Sequence, residues 1–306
     1  MDFTDYMNEL GQASRVKLSA LPRLSELTGD QEKEFAAAWP GIEVRRRRRI
    51  ISELTDLAED NVELNFDTVF RHGLSDDDAA VRRASIRGLW EYDRPDIIDP
   101  LLRILDSDPD TGVRVEAALA LGRFVLLSEE GRLSERSGRL VEAGLRRAIE
   151  RTDEEVEVRA RALEAVGAHN EAWVRQAISK AYESDIPRMK VSAVHAMGRS
   201  CEARWLPLVS KQLSNEDAEV RYEAAVACGS LGEEQAIPDL IRLVVDPDDE
   251  VRQAAIGALG EIGGRQAKEA LATLLGSQSE STREAARDAL TGLEFEEDPL
   301  SFKFRP

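Results

Sequence analysis

The chain has few cysteines, few aromatic residues and no long apolar run. Only two of its 306 residues are cysteines, Cys201 and Cys228, and 5% are aromatic. Two cysteines in a chain of this length form no disulfide framework, which favours a reducing compartment. No apolar stretch approaches the roughly 20 residues that a membrane-spanning helix needs, and the first ten residues lack the basic and apolar pattern of a signal peptide. We therefore expect a cytoplasmic protein without a membrane segment.

Basic residues are also fewer than acidic residues. The chain has 41 Lys and Arg against 59 Asp and Glu, a formal charge of −18. Because such a chain is repelled by phosphates, we expect neither nucleic acid nor an anionic membrane as a general partner. Hydrophobic residues make up 42% of the sequence, enough for a core, and Ala, Leu, Glu and Arg recur throughout. This composition predicts an acidic, all-α protein.

One apolar residue followed by one basic residue recurs along the chain. The pair stands at Val44-Arg45, Val81-Arg82, Val113-Arg114, Val158-Arg159, Met189-Lys190, Val220-Arg221 and Val251-Arg252, and is reduced to Thr282-Arg283. The last five of these anchors, from Val158 to Thr282, are evenly spaced. A fixed period of roughly 30 residues indicates stacked structural repeats.

Other residue types keep a constant distance from the anchor. Four residues after it stand Ala117, Ala162, Ala193, Ala224, Ala255 and Ala286; eight after it stand mostly apolar residues such as Leu121 and Leu259; and nine after it stand Gly122, Gly167, Gly198, Gly229 and Gly260. Spacings of four and eight mark one face of a helix. An acid three residues before the anchor, as at Asp78, Asp110, Glu155, Asp217 and Asp248, predicts a capped helix start. We call this helix A, and we attribute its Gly column to close helix approach.

A second apolar segment follows helix A in most units and predicts a helix B. These segments are 97–105, 173–181, 206–213, 237–244 and 270–275, with Pro100, Pro207 and Pro238 in the first turn. Proline is tolerated there because the backbone N–H that it lacks has no partner within the helix.

The pattern Asp-x-x-Val-Arg-x-x-Ala-x-x-x-Leu-Gly, as in residues 248–260, resembles the short HEAT-like repeats first described in phycobilisome bilin lyases. The resemblance covers roughly residues 42–293. It implies a right-handed α-solenoid of about eight stacked HEAT-like helix pairs, with A helices outside and B helices lining a concave face. It also implies a binding scaffold, because the repeat pattern contains no catalytic residue.

Three segments follow from this interpretation. Residues 1–41 form an N-terminal helical cap, residues 42–293 the HEAT-like repeat solenoid, and residues 294–306 an acidic and aromatic tail without a helical period. The cap is expected to cover the stack with Leu21, Leu24, Leu27, Phe35 and Trp39. The tail is expected to dock through Leu300, Phe302 and Phe304. An insertion around residues 128–139 predicts a polar loop or a lengthened helix end.

Two groups of arginines have structural interpretations. The column at Arg82, Arg114, Arg159, Arg221 and Arg252 follows a helix-start acid by four residues, which predicts a carboxylate and guanidinium ladder along the stack rather than a row of phosphate ligands. The run 45–49 encircles its helix, since consecutive residues turn by about 100°. It is interpreted as a solvated helix, with a local site for an acidic partner as the alternative.

Catalytic and cofactor motifs are not recognisable. The sequence has three histidines, His72, His169 and His195, and none lies four residues from another. Di-iron deoxyhypusine hydroxylases are HEAT-like, but their His-Glu pairs have no counterpart here. No Walker loop or dinucleotide fingerprint occurs, and Cys228 falls in an apolar column. We expect no enzyme activity, no cofactor and no metal.

The candidate partner-binding residues are Trp173, Trp205, Glu233 and Glu234. The two tryptophans open successive B helices, and tryptophan is enriched at binding hot spots. The segment 214–275 that follows has 13 acids and 5 bases. Trp39 and Trp90 are interpreted as packing residues.

We therefore predict an elongated, monomeric, non-enzymatic protein-protein interaction scaffold. Its concave helix-B face would bind a protein or peptide with an apolar segment and a basic segment. The alternative is a bilin-lyase-like or other ligand-handling HEAT-repeat protein, which the resemblance alone suggests.

Overall fold

The computed structural model describes residues 2–12 and 17–297, and helix is their only regular secondary structure. They form seventeen α-helices and five short 3-10 helices, with no strand in these ranges. The prediction of an all-α protein is confirmed.

The chain divides into two compact units, Met1–Val158 and Arg159–Pro306. The first unit contains α1 (Phe3–Gln12), α2 (Asp30–Ala38), α3 (Val44–Asp60), α4 (Asp67–Gly73), α5 (Ala79–Gly88), α6 (Ile98–Ser107), α7 (Thr111–Glu129) and α8 (Glu135–Glu150). Helix α9 (Val156–Val166) includes the division. The second unit continues with α10 (Ala172–Tyr182), α11 (Pro187–Arg199), α12 (Leu206–Gln212), α13 (Ala218–Leu231), α14 (Ile237–Leu243), α15 (Asp249–Ile262), α16 (Gly264–Leu274) and α17 (Glu280–Glu297).

Within each unit the helices stack as antiparallel pairs in a solenoid. In the first unit the A helices α3, α5 and α7 contact one another in turn, and the B helices α6 and α8 contact each other. In the second unit α11, α13, α15 and α17 form the corresponding row of A helices, and α12, α14 and α16 are the B helices that follow α11, α13 and α15. The solenoid architecture is therefore confirmed.

Helix starts follow the sequence signals. The side chains of Asp78, Asp110, Asp217 and Asp248 each accept a hydrogen bond from a backbone N–H in the first turn of the helix that follows. Pro100, Pro207 and Pro238 lie in the first turns of α6, α12 and α14. Each of these B helices follows a 3-10 turn.

The Gly column of the second unit marks the closest approach between A helices. A methyl group on Gly198 would lie 2.7 Å from the Cα of Ala227, and one on Gly167 would lie 3.0 Å from the Cα of Ala196. The four facing pairs are Gly167 with Ala196, Gly198 with Ala227, Gly229 with Ala258, and Gly260 with Ala289. The predicted packing reason for these glycines is confirmed.

The arginine ladder exists at Arg82, Arg114 and Arg221, where the partners differ from the predicted ones, whereas Arg252 binds Asp249 at the start of its own helix. Arg82 binds Asp108 through Nε (2.7 Å) and Nη2 (2.8 Å), and Arg221 binds Asp246 through Nε (2.8 Å) and Nη2 (2.9 Å). We call each such pair a rung. The acid belongs to the loop before the next A helix, two residues ahead of its cap, and not to the start of the same helix. A rung therefore joins one repeat to the next.

The same loop acid also shapes the turn in which it lies. Asp108 Oδ1 accepts the backbone N–H of Asp110, and Asp246 Oδ1 accepts that of Asp248, each at 2.9 Å. The remaining guanidinium nitrogen of Arg82, Nη1, donates to the carbonyls of Asp76 (2.8 Å) and Asp77 (3.1 Å). Every nitrogen of this arginine is thus engaged within the stack.

The insertion lengthens both helices of its unit. Helix α7 continues to Glu129, and α8 begins at Glu135 with Ser134 as its cap. Arg114 still reaches its loop acid, because its Nη2 donates to Glu154 at 2.8 Å. Of the two predictions for this segment, the lengthened helix end is confirmed.

The N-terminal segment packs as predicted, whereas the C-terminal helix extends further than predicted. Leu21, Leu24, Leu27, Phe35 and Trp39 are all buried, at 5% exposure or less. At the other end α17 runs to Glu297, so the prediction of a tail without helix is wrong for its first four residues. Leu300, Phe302 and Phe304 lie outside the described residues. The segment boundaries themselves remain predictions.

Candidate interaction surfaces

The two tryptophans proposed as partner anchors differ in exposure. Trp173, near the start of α10, is half-buried, and its ring lies 6.4 Å from that of His169. Trp205 ends a 3-10 turn before α12 and is only 5% exposed. Ala236 and Ala267, in the same column, are also buried. The column therefore faces the core at Trp205, and little of that indole is available in the free chain.

The acidic residues proposed beside them are more accessible. Glu233 is half-buried and Glu234 is exposed, before and within the 3-10 turn Glu234–Ala236. Most other exposed acids of segment 214–275 lie near helix-A starts, at Glu216, Asp217, Glu219, Asp249 and Glu250. Carboxylates there stabilise the helix dipole. The acidic excess is thus concentrated at one edge of the stack rather than on the helix-B face.

Trp90 is not a packing residue, contrary to the prediction. Helix α5 ends at Gly88, so Trp90 lies in the following turn with 56% of its surface exposed. Its position in the Gly column suggested burial. This expectation assumed that helix A continues to that position, whereas α5 ends before Trp90. Trp39 is a packing residue as predicted: its ring stacks on Phe35, with centroids 5.1 Å apart.

The outward face of α7 is the main feature that sequence reasoning missed. Leu119 and Leu126 are 42% and 40% exposed, and they lie two turns apart on the same side of the helix. Arg123 lies between them on this side. The signal was available in the repeat, because Leu119 stands in the column where neighbouring A helices have Arg87, Glu164 and His195.

The Trp90 turn is held beside the C-terminal half of α7. Arg123 Nη1 donates to the carbonyl of Leu89 at 2.8 Å and also to that of Trp90, and its Nη2 donates to the carbonyl of Tyr92. Burial lowers the pKa of Arg123 below its usual value. From the insertion, Arg132 Nη2 donates to Asp93 at 3.1 Å. The turn that carries the exposed Trp90 is thus held against α7, the helix that exposes Leu119 and Leu126, and we call these three residues the α7 surface.

The arginine run of α3 encircles the helix as predicted, but it is not uniformly solvated. Arg47 is 7% exposed. Four of the five arginines have separate partners: Arg46 the carbonyl of Leu10, Arg47 the carboxylate of Asp76, Arg48 that of Asp78, and Arg49 that of Glu53.

In the ranges that the structure describes, no group of three or more His, Cys, Asp or Glu residues is placed to hold a metal ion. Cys228 is buried, and burial raises its pKa to about 12, so its thiol stays protonated. Cys201 is exposed, and its backbone has a left-handed conformation with a φ of 50°. Each described helix is too short or too polar to span a bilayer.

Comparison with solved structures supports the architecture. The chain is similar to the complex of CpcE and CpcF of phycocyanin lyase from Nostoc sp. PCC7120, at 22% identity and a TM-score of 0.53, over 73% of this chain and 86% of that one. It is also similar to importin beta, at 13% identity and a TM-score of 0.53, over 94% of this chain and 46% of that one. A complex named Kap95:Nup1 gives the same identity and score over 95% and 45%. At these identities the likeness concerns the fold alone, and no curated protein sequence matches the chain.

The family assignment comes from the repeats themselves. The family model for HEAT repeats matches residues 68–135 and 206–291, together just over half of the chain. These ranges contain the capped A helices, the proline-started B helices and the two complete rungs described above. The chain therefore belongs to the HEAT repeat family.

Proposed function

We propose that the chain is a non-enzymatic cytoplasmic scaffold that binds a partner protein or peptide, and that the α7 surface makes the principal contact. The observation that carries this proposal is the joint exposure of Trp90, Leu119 and Leu126, at 56%, 42% and 40%. Single exposed apolar residues are ordinary in soluble proteins, whereas a cluster of them is typical of an interaction site.

Comparison with neighbouring repeats indicates that Leu119 does not contribute the side-chain bond that its column makes elsewhere between or within A helices. Arg87, Glu164 and His195 in its column each have a hydrogen-bonded side-chain partner on the same or the next A helix. Arg87 binds Glu116 (2.8 Å), Glu164 binds Arg188 (2.8 Å) and Arg161 (2.8 Å), and His195 binds Glu223 (3.1 Å). A leucine cannot make such a pair, and here it keeps much of its apolar surface in water. A partner that covers Leu119 would recover this hydrophobic free energy.

The α7 surface is also preorganised. The bonds from Arg123 and Arg132 hold the Trp90 turn against α7 before any partner arrives. A fixed surface loses less conformational entropy on binding than a mobile loop does. The indole of Trp90 therefore suits the role of hot-spot anchor.

The partner chemistry follows from the spacing and the charge. Leu119 and Leu126 are separated by seven residues, about 10 Å along the helix. This distance matches apolar side chains two turns apart on an amphipathic helix. Glu91, Asp93, Glu129 and Glu130 around the Trp90 turn are exposed. The partner would carry Lys or Arg beside its apolar residues, which would speed the encounter.

The helix-B face of the second unit, with Trp173, Trp205, Glu233 and Glu234, is a second surface for the same class of partner. Trp173 and Glu234 are its accessible members, while Trp205 would have to turn outward to contribute. A bilin-lyase-like function is suggested only by the resemblance of the repeat sequence. The structural similarity to phycocyanin lyase supports a shared fold and adds no support for this function. Absorbance titration with a bilin would detect it.

The test is a titration of purified components. Partners recovered from nuclease-treated lysate are identified, purified and titrated against Trp90→Ala, Leu126→Ala, Trp173→Ala and the control Val245→Ala. Val245→Ala removes an apolar side chain that is 78% exposed in the second unit, and Trp173→Ala tests the second surface.

Trp90→Ala should weaken binding about thirtyfold, the effect of losing roughly 2 kcal/mol at a hot spot. Val245→Ala should have no effect. Loss of affinity in Trp173→Ala alone would move the site to the helix-B face. Full affinity in both folded Trp variants would reject both surfaces.

A further inference from the structure

A small cavity lies in the first unit between the N-terminal helices and the first repeat. It has a volume of about 130 Å³ and is lined by Ala36, Trp39, Pro40, Arg47, His72, Ser75, Asp76 and Asp77. Since one water needs only about 10–15 Å³ of such space, the cavity has room for several. One side of it is apolar, formed by Ala36, Trp39 and Pro40, and the other is charged.

The charged side is an incomplete rung. Asp76 occupies the same loop position as Asp108 and Asp246, and its Oδ1 accepts the backbone N–H of Asp78 at 2.9 Å. Its Oδ2, however, accepts a bond from Trp39 Nε1 at 2.7 Å, and Arg47 Nε approaches no closer than 3.3 Å. The two-pronged contact made by Arg82 and Arg221 does not form here.

Arg47 is therefore left with unused donors. Its Nη1 reaches the carbonyl of Pro40 at 3.3 Å, and its buried Nε has no hydrogen bond of good geometry. Among the described residues, Nη2 has no partner. The side chain is nevertheless only 8% exposed. The buried N–H at Nε that lacks an acceptor is costly, and a carboxylate that enters the cavity would pair with this guanidinium.

Among the groups that line the cavity, carboxylates outnumber guanidinium groups, and nearby Glu32 Oε1 also lies 3.8 Å from Arg71 Nη2. Asp77 lines the cavity and is exposed, and Glu32 Oε1 lies 3.3 Å from Nε2 of the lining His72. Together with Asp76, these carboxylates would repel a simple anion. A ligand with one carboxylate and one ammonium group avoids the repulsion, because its ammonium has an acceptor in Asp77.

We propose that this cavity binds a small zwitterionic amino acid. Its carboxylate accepts hydrogen bonds from Arg47 Nη2 and from the Ser75 hydroxyl, its ammonium donates to Asp77, and a short apolar side chain lies against Ala36 and Trp39. The loop that carries Ser75, Asp76 and Asp77 is fixed from the opposite side, where Arg82 binds two of its carbonyls. The site is therefore formed before the ligand enters.

The experiment compares three probes of nearly the same shape: L-alanine, propionate, which lacks the ammonium, and L-alaninamide, which lacks the carboxylate. Binding is followed by ¹H–¹⁵N spectra of the four tryptophan indoles. The Trp39 indole, which lines the cavity, is assigned by its loss in Trp39→Phe, and the other three serve as internal references. L-alanine should shift the Trp39 signal saturably, with a Kd of about 1 mM. The corresponding binding free energy is within the range that a ligand of six non-hydrogen atoms can provide. Propionate and L-alaninamide should bind at least tenfold more weakly.

Two variants locate the site without disturbing its charges. Ala36→Leu fills the cavity and should abolish the shift, while Ala37→Leu, on the exposed side of the same helix, should leave it unchanged. Asp77→Asn should weaken L-alanine several-fold and should not weaken propionate. Equal binding of propionate and L-alanine, or an unchanged shift in Ala36→Leu, would overturn the proposal, as would the lack of any saturable shift.

Discussion

The repeats of the second unit are more regular than those of the first unit. In the second unit the anchors are evenly spaced, and four Gly and Ala pairs bring the A helices into close contact. In the first unit the spacing from Val44 through Val81 and Val113 to Val158 is uneven, and Trp90 stands where the Gly column would continue. The first unit is also where the α7 surface and the incomplete rung occur. Regular repeats here build the stack, and departures from the repeat provide the candidate binding features.

The complete rung of the second unit gives the largest expected effect. Asp246→Ala would leave Arg221, whose side chain is only 13% exposed, without its carboxylate. Losing a charged hydrogen-bond partner at such a site costs about 2–3 kcal/mol, less than the cost of breaking a fully buried pair. Asp249→Ala, an acid 58% exposed in the same repeat, should change stability by no more than about 1 kcal/mol. Urea unfolding of both variants checks the difference, and equal midpoints would mean that the rung does not hold the repeats together.

The Gly column gives the next effect, and a helical glycine outside the column should respond with the opposite sign. Gly198→Ala should lose about 1–3 kcal/mol, since the new methyl group would overlap the backbone of Ala227 on the next helix. Gly257→Ala, which has no atom within 4 Å of the added methyl group, should gain up to about 1 kcal/mol from helix propensity. Thermal unfolding measures both. A gain in both variants would show that the A helices are not in close contact at Gly198.

Trp39→Phe tests the incomplete rung of the first unit. Phenylalanine keeps much of the ring packing on Phe35 but removes the N–H that binds Asp76, so we expect a loss of about 1–2 kcal/mol. Trp90→Phe, at an exposed tryptophan, should stay within about 0.5 kcal/mol of the parent. Chemical denaturation followed by circular dichroism distinguishes them, and a neutral Trp39→Phe would place the stability of this rung entirely in Arg47.

Acid should weaken the complete rung selectively. Burial alone would raise the pKa of Asp246, but the bonds from Arg221 and from the Asp248 N–H outweigh it, and the folded-state pKa is lowered. This contribution is fully present above the ordinary Asp value near 4 and is lost as the pH falls through the lower folded value. Stability of the parent should therefore fall below about pH 4 more steeply than that of Asp246→Asn. Parallel pH profiles would contradict the assignment.

Much of the architecture could be predicted from the sequence because the repeat makes it redundant. Each of Asp78, Asp110, Asp217 and Asp248 signals the same capped helix, so one misinterpreted unit does not change the fold. The rung acids were missed, although Asp76, Asp108 and Asp246 each stand two residues before a capping Asp. Their arginine partners belong to the preceding repeat, and local spacing cannot reveal a contact of that kind.

The candidate surfaces were harder to predict, since exposure depends on where a helix ends. Trp90 was expected to pack because its column packs elsewhere, but α5 stops two residues before it. Trp205 was expected to be accessible because it opens a helix, but its column is occupied by buried alanines in the next two repeats. The cavity depends on how Trp39 and Arg47 share one carboxylate, and no sequence pattern encodes that.

The rungs and the Gly column have a consequence for how this chain can change its length. In the second unit each junction between A helices uses an equivalent Gly and Ala pair, so excision of residues 218–248 would place α15 directly after the cap Asp217. Gly198 would then face Ala258, a residue equivalent to its present neighbour Ala227. The Gly column thus lets the array gain or lose whole periods, each as long as segment 218–248, although the rung between Arg221 and Asp246 would be lost with this period. The first unit, with its unequal spacings, has no such freedom.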